Sequence, residues 1–280
     1  MNNTGSLYVV ATPIGNLADI TQRACDVLSN VACIAAEDTR HSGVLLRELG
    51  IRTPLISLHD HNESARISLI TERLQQGDDI ALISDAGTPL IADPGYKLVH
   101  ALRELGLPVK TIPGPCALIA ALSIAGQPTD AFIFDGFLPS KSGERTKHLQ
   151  SLSTERRTLV FYESRHRIAG ALNDIASVFG SERSMTLLKE LTKHFEQTII
   201  GTVEHVQAWL AAEPGRVKGE FVLAIHGDKS PVKKDDLPAT AIETLQVLRE
   251  ELPLKQAVSL TSKLTGCSKN RIYAYALTME

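Results

Sequence analysis

Five short apolar runs, at residues 7–11, 31–36, 54–58, 80–83 and 109–112, alternate with segments of helical periodicity. That alternation constrains the fold more than any other feature of the chain. Strand, helix and parallel strand joined in sequence make right-handed βαβ units and a mostly parallel sheet. The runs are apolar throughout rather than every second residue, as strands covered on both faces require. The intervening segments predict helices over 20–28, 42–49, 64–75 and 99–105, the first capped by Asp19 or Thr21. Pro113-Gly114-Pro115 ends the run, and an apolar helix over 117–125 leads out of it.

A second group of strands follows at 132–134, 158–161, 185–188, 198–200 and 221–225, with helices near 168–178 and 203–211. Its rhythm differs, so it reads as a second α/β layer. Residues 229–238 form a polar linker containing Pro231 and Pro238, and three helices close the chain at 239–251, 255–265 and 269–277. The expected class is therefore α/β, with an N-terminal α/β domain over 1–117, a second over 118–228, and a small helical appendage over 229–280.

The bulk numbers narrow the setting. Of 280 residues, 43% are apolar and 22% charged, enough to bury an ordinary core. The longest nearly unbroken apolar stretch, 116–126, falls far short of the roughly 18 residues a membrane span needs. Residues 1–6 lack a basic segment leading into an apolar one, so no secretory signal is read. Cys25, Cys33, Cys116 and Cys267 are scattered without CxxC spacing, as reduced cytoplasmic thiols would be. The net charge of −3 excludes indiscriminate coating of nucleic acid, but its distribution is uneven. Residues 140–170 carry seven Lys/Arg against three acids, and residues 254–275 carry Lys255, Lys263, Lys269 and Arg271 with no acid. Such patches draw a phosphate-bearing partner, or are simply solvated basic surface.

In an open α/β sheet, ligands gather outside the carboxyl ends of the strands. Five successive loops there pair turn residues with polar groups: Thr12–Leu17, Glu37–Arg40, His59–Glu63, Ser84–Pro89 with Asp93-Pro94-Gly95, and Pro113–Cys116. Turn chemistry explains the Gly and Pro. It explains less well why Glu37, Asp38, Arg40, His59, His61 and Asp85 share one edge. No GxGxxG follows the first strand, and neither GxxxxGK[ST] nor GxSxG occurs, so dinucleotide, P-loop and hydrolase-elbow sites are unsupported. His59-x-His61 lacks a third metal ligand at readable spacing, so a hydrogen-bonding loop is the preferred reading and no metal is expected. Cys116 has no local context that marks it as activated.

Taken in order, Leu7–Leu17, Ala36–Arg40, Ser84–Pro89, Asp93-Pro94-Gly95, Pro113-Gly114-Pro115, Phe161–Ser164, Glu190–Lys193 and Lys218-Gly219-Glu220 resemble signature stretches of the tetrapyrrole methylase superfamily. The branch they resemble is the ribose 2′-O-methyltransferases of 16S ribosomal RNA, whose target is a decoding-centre cytidine, position 1402. The resemblance runs over roughly residues 7–227. It implies two α/β domains with S-adenosylmethionine in the cleft between them, a homodimer, and 16S RNA, within the 30S subunit, as acceptor. Carried over by residue, Asp85, Ala86, Gly87, Thr88, Gly114, Pro115, Cys116 and Ala117 line the cofactor, with Tyr162, Leu191, Gly219 and Glu220 from the second domain. Arg165 departs from the family pattern, which often has Pro or a small residue there.

The reaction so implied is displacement at a sulfonium methyl by a ribose oxygen, for which protein groups supply alignment and proton removal. Asp38, His59 and Glu190 are candidate acceptors; Arg40, Lys189 and Lys193 would steady the developing negative charge or hold phosphate. Asp38 capping its helix, or Lys189 pairing with Glu190, would serve structure instead. Candidate substrate contacts are Pro13, Asn16, Thr39, Asn62, Arg145, Arg165, Arg167, Lys269 and Arg271. The C-terminal helices either grip RNA or act as a packing element. Two other readings stay open: a superfamily methyltransferase for a tetrapyrrole or a modified protein side chain, and a non-catalytic RNA-binding module.

Overall fold

A computed structural model of the chain describes residues 4–59, 62–229 and 237–277. Residues up to Asp228 form one compact unit and those from Lys229 a second. The first unit holds two five-stranded sheets. In the N-terminal sheet, β1 (Leu7–Val10), β2 (Cys33–Ala36), β3 (Leu55–Ser57), β4 (Ile80–Ile83) and β5 (Val109–Ile112) lie in the order β3-β2-β4-β1-β5. Every pairing is parallel. Side chains alternate across a strand, so Ile34 and Ala36 enter one core and Cys33 and Ala35 the other. Helices α1 (Gln22–Asn30) and α2 (Thr39–Glu48) cover the first face through Ala24, Leu28 and Leu46. Helices α3 (Glu63–Gln75) and α4 (Tyr96–Glu104) cover the other through Ile70, Leu74, Leu98 and Leu102. Thr21 caps α1, its hydroxyl accepting the Ala24 N–H at 3.1 Å, while Asp19 lies in a preceding 3-10 turn. Both α2 and α4 begin three residues earlier than expected, α2 directly after its cap Asp38 and α4 directly after Gly95.

The second sheet is mixed, in the order β6-β7-β10-β8-β9. Its strands are β6 (Phe132–Phe137), β7 (Thr158–Ser164), β8 (Ser184–Lys189), β9 (Gln197–Thr202) and β10 (Glu220–Ile225). Only β6–β7 is parallel; the other three pairings are antiparallel. One face packs on α7 (Ile168–Phe179), α8 (Val203–Ala211) and α6 (Ser142–Ser151). The sequence reading treated α6 only as a basic stretch. Its inward positions are Arg145 and Leu149, an arginine where a helix pattern calls for an apolar residue. The opposite face receives α5 (Ala117–Ile124), whose Leu118, Ala121 and Leu122 pack on Val160, Leu188 and Val222. Ile14, from the loop after β1, joins that same core.

The C-terminal unit is three helices, α9 (Ala239–Glu251), α10 (Leu254–Thr265) and α11 (Lys269–Ala276), around Ala241, Leu245, Ala257, Val258, Ile272 and Ala276. Leu237, read as linker, is buried in that core, and residues 230–236 of the expected linker lie outside the described residues. Among the described residues no helix is long and apolar enough to cross a membrane.

Candidate active site

Between the two sheets of the first unit lies a cleft of about 310 Å³, within the range of small-molecule sites. Its first wall is built by the loops after β1 and β4, which bind each other: Thr12 N–H donates to the Gly87 carbonyl at 2.8 Å, and Gly87 N–H returns to the Thr12 carbonyl at 3.1 Å. Gly87 has φ +81° and an added Cβ would lie 3.2 Å from Ile14 Cγ2, so only glycine permits this crossing. Thr88 Oγ1 donates to the Pro115 carbonyl at 3.0 Å, tying in the loop after β5. From the second sheet, the Tyr162 hydroxyl accepts the Leu118 N–H at 2.8 Å, satisfying one of the free donors at the start of α5. Tyr162→Phe should therefore lower unfolding stability by about 1–3 kcal/mol, measured by urea denaturation, because Leu118 N–H loses its acceptor.

The cleft's rim holds backbone strain. Leu90 (φ +72°), Ala92 (+68°), Glu190 (+52°) and Thr192 (+65°) are the non-glycine residues with positive φ among those described. Ala92 lines the cleft, and the others adjoin Ile91 and Leu191, which also line it. Each such residue costs on the order of 1–3 kcal/mol and persists only where its surroundings hold it. Around Glu190 the restraint is visible. Its Oε1 accepts Lys193 Nζ at 2.9 Å and the Glu220 N–H at 3.0 Å, and Lys193 Nζ also reaches Glu220 Oε2 at 2.9 Å. The Lys193 stem crosses Gly15 so closely that an added Cβ there would fall 2.4 Å from Lys193 Cγ. Lys193 thus clasps the β1 loop to the second sheet.

Of the twelve residues assigned to the cofactor by resemblance, nine line the cleft: Asp85, Ala86, Gly87, Thr88, Cys116, Ala117, Tyr162, Leu191 and Glu220. The other three support it from outside. Gly114 lets its loop pack against Ala11, an added Cβ lying 3.1 Å from Ala11 Cβ; Pro115 is the Thr88 acceptor; Gly219 leaves room for the Glu190 side chain. The lining also includes Ile14, Asp93, Phe137, Leu188 and Val222, none of which the sequence marked as a site residue. The apolar ones look like core in a sequence. Motif membership is the available signal for two of them: Ile14 belongs to the Leu7–Leu17 stretch and Asp93 to Asp93-Pro94-Gly95.

Residues 6–207 match the tetrapyrrole (corrin/porphyrin) methylases, and residues 235–280 match the RsmI C-terminal HTH domain. Ribosomal RNA small subunit methyltransferase I of Escherichia coli O157:H7 is 51% identical over 279 residues, spanning 100% of this chain and 97% of that protein. The enzyme of the same name from Haemophilus influenzae is 48% identical over 274 residues, spanning 98% and 97%. This chain belongs to the ribosomal RNA small subunit methyltransferase I family. Its fold is shared by uroporphyrin-III C-methyltransferase from Thermus thermophilus, complexed with S-adenyl homocysteine, with a TM-score of 0.54 at 17% identity over 79% of this chain and 97% of that one.

For a methyltransferase of this family, the candidate catalytic residues fall into three places. Asp38 caps α2, accepting the N–H groups of Arg40 (2.8 Å) and His41 (3.4 Å), and pairs with the Arg40 guanidinium at 3.0 Å. The Arg40 side chain, helped by these amides, holds the Asp38 carboxyl down at about 2. Asp38 N–H also donates to Asp85 Oδ1 at 3.1 Å, so this loop abuts the cleft. His59 lies in a loop organised by Asn62, whose Nδ2 meets His59 Nε2 at 3.2 Å and Ser57 Oγ at 2.8 Å. His61 lies outside the described residues. Lys189 is buried at 7% exposure; it follows the cleft-lining Leu188, so it turns to the sheet's opposite face. Burial works to raise the Glu190 carboxyl, but the Lys193 ammonium and the Glu220 amide outweigh it and hold it low. Burial opposes charge on Lys193 too, and Glu190 and Glu220 overcome it.

Among the lining acids, Asp93 differs. Burial pushes its carboxyl above the usual range, the Ser84 hydroxyl works the other way, and the neighbouring Asp85 charge adds to the rise. Glu163 is also raised by burial, but its side chain has no exposed area, so it meets the cleft through backbone. Asp93 is thus the carboxylate at the cleft that has a raised proton affinity and some exposure.

The expected substrate contacts disperse. Pro13 is buried and Thr39 half-buried in the β1 and β2 loops; Asn16 caps the following 3-10 turn, accepting Ala18 N–H at 3.1 Å. Arg145 is a correction: it is 5% exposed, pairs with Asp174 at 2.6 Å, and donates to the carbonyls of Pro139 and Ser140 at 3.2 Å. It fastens α6 to α7 and is not presented to a partner. Arg165 is exposed, and Arg167 lies near the cleft beside Phe137. Lys269 is exposed and Arg271 half-buried on α11 of the separate C-terminal unit.

Proposed function

We propose that this chain transfers the methyl group of S-adenosylmethionine to the ribose 2′-oxygen of a decoding-centre cytidine in 16S ribosomal RNA. The observation that carries the reading is the cleft itself. Its walls join an apolar floor (Ile14, Ala117, Leu188, Leu191, Val222) to the Asp85–Thr88 loop and to the carboxylates of Asp85 and Asp93. Apolar and acidic surface together suits a cationic sulfonium carried on an uncharged nucleoside. The acceptor follows from the family, whose named members act on small-subunit ribosomal RNA.

S-adenosylmethionine, when bound, supplies a methyl group on a positively charged sulfur. The Asp85–Thr88 loop would meet it, Gly87 through its bare Cα because its N–H and carbonyl are bonded to Thr12, and Leu188, Leu191 and Val222 would enclose its apolar body and exclude water. Asp93 would take the proton of the attacking 2′-hydroxyl, since Asp38 is committed to Arg40 and Glu190 to Lys193. On this reading residues 1–117 face the acceptor, residues 118–228 complete the donor site, and residues 229–280 hold RNA through Lys255, Lys263, Lys269 and Arg271. The family resemblance further supports a cytoplasmic homodimer acting on the 30S subunit.

The test is transfer of radiolabelled methyl from S-adenosylmethionine to purified 30S subunits and to naked 16S RNA, with the label mapped by mass spectrometry. The expected product is a 2′-O-methylcytidine in the decoding region. Donor binding without label in either RNA would sink the reading and point to a tetrapyrrole or protein acceptor. A chain that binds RNA but not the donor would be a binding module only.

A further inference from the structure

At the cleft's rim the second sheet carries an aromatic ring that its own fold does not use. Phe137 ends β6, lines the cleft and is 52% exposed. An exposed phenylalanine forfeits burial worth roughly 1.5–3 kcal/mol, so its placement calls for a reason. Local backbone provides the aim. The β6–β7 register shifts between Phe134 and Phe137, and Gly136 within that shift has φ +61°. Such bulges re-aim a side chain beside active sites. The ring is then held firmly. Tyr162 meets it edge-on at 5.7 Å and 68°, and Tyr162 is itself met by Phe134 at 4.8 Å. The Arg167 guanidinium stands over the ring, 5.6 Å from its centroid. Arg167 is fixed in turn by Glu163 at 3.3 Å and by the Leu138 carbonyl at 3.2 Å.

We propose that the Phe137–Arg167 pair at the cleft mouth is the stacking platform for the unpaired pyrimidine base of the nucleotide being methylated. Unstacked bases are recognised on aromatic rings and guanidinium planes, and an enzyme acting within structured RNA must first draw its target out of the stack. Placement favours this base over the adenine of the methyl donor, because Phe137 is half exposed at the rim while Leu188, Leu191 and Val222 of the apolar floor are buried. Arg165, exposed and two residues before Arg167, adds positive charge that attracts a phosphate chain. Asp85 and Asp93 belong to the other wall, while Glu220 lines the cleft from the second sheet. Gly136 also brings the bulge against the Asp93 loop, an added Cβ lying 3.9 Å from Ala92 Cβ, so a base on Phe137 would place its ribose toward Asp93. Phe137 belongs to neither buried core of the sheet.

This inference rests on the RNA methyltransferase reading. The test compares wild type with Phe137→Ala and Phe137→Trp, each full-length. Methyl transfer to 30S subunits is read as KM for the subunit, and S-adenosylhomocysteine affinity is read separately by calorimetry. Losing one stacked base should raise the Phe137→Ala KM about fivefold to 150-fold. Calorimetric affinity should stay at the wild-type value, and Phe137→Trp should restore most of the KM. Transfer by Phe137→Ala at the wild-type KM would overturn the inference alone. So would a loss of S-adenosylhomocysteine affinity that accounts for the whole defect, since the ring would then serve the donor. Wild-type protein that binds S-adenosylhomocysteine yet methylates no RNA overturns the underlying reading, and the platform falls with it.

Discussion

Replacing Asp93 by Asn should slow single-turnover methyl transfer by about 10²–10⁴-fold, the usual contribution of a positioned proton acceptor, while S-adenosylhomocysteine affinity stays within about twofold. The substitution keeps the side chain's volume, removes its capacity to ionise and exchanges one acceptor oxygen for an NH2 donor. The pH dependence has a definite sign. Asp93 accepts a proton only when ionised, so the wild-type rate climbs as pH rises through its pKa. Burial, with Asp85 alongside, raises that pKa, so the climb falls above the value of about 3.9 for an ordinary aspartate. Of the groups around it, Ser84 donates toward Asp93, Asp85 repels its charge, and Tyr162 faces it across the cleft with its own proton held more tightly than usual. The Asn variant should lose the climb altogether. Folding linkage runs the other way. The folded chain binds the Asp93 proton more tightly than the unfolded chain, so wild type loses stability relative to Asp93→Asn as pH rises through that window. An Asn variant that keeps both its rate and its acid limb would remove Asp93 from the reaction.

Phe161→Ala should lower unfolding free energy by about 3–5 kcal/mol, seen as a reduced urea midpoint at unchanged slope. Phe161 is fully buried at the centre of β7, packed among Ile168, Leu187 and Leu223, and its strand neighbours Val160 and Tyr162 face the cleft side. The substitution removes most of a ring from a face that three helices already cover, so the cavity cannot close cheaply. Because the ring points away from the cleft, molecules that remain folded at low temperature should bind S-adenosylhomocysteine as wild type does. A loss under about 1.5 kcal/mol would mean that this face collapses more readily than its packing indicates.

The alternation of apolar runs with helical periodicity was sufficient to read the parallel first sheet, and the loops after β1, β4 and β5, sought at its carboxyl edge, line the cleft. The second sheet's mixed order was legible only in part: the seven-residue link from β8 to β9 is too short for a parallel crossover, but nothing local records that β10 inserts between β7 and β8. Helix α6 was missed because its buried face is half ionic, and periodicity counts only apolar residues. Within the site, glycine and small polar motifs pointed to the cleft, since a backbone that must approach closely leaves its mark on residue type. Phe137 left no such mark.

The sequence by itself therefore determined the layered α/β class and the family. It could do so because periodicity and turn chemistry act between near neighbours. Only the tertiary structure decided which charges are spent. Arg145 is paired with Asp174, Lys193 is clasped between Glu190 and Glu220 across Gly15, and Asp93 keeps a raised proton affinity beside Asp85. Desolvation and pairing depend on groups that meet in space from distant points of the chain, as Leu118 meets Tyr162 and Thr12 meets Gly87, and no local pattern encodes those meetings.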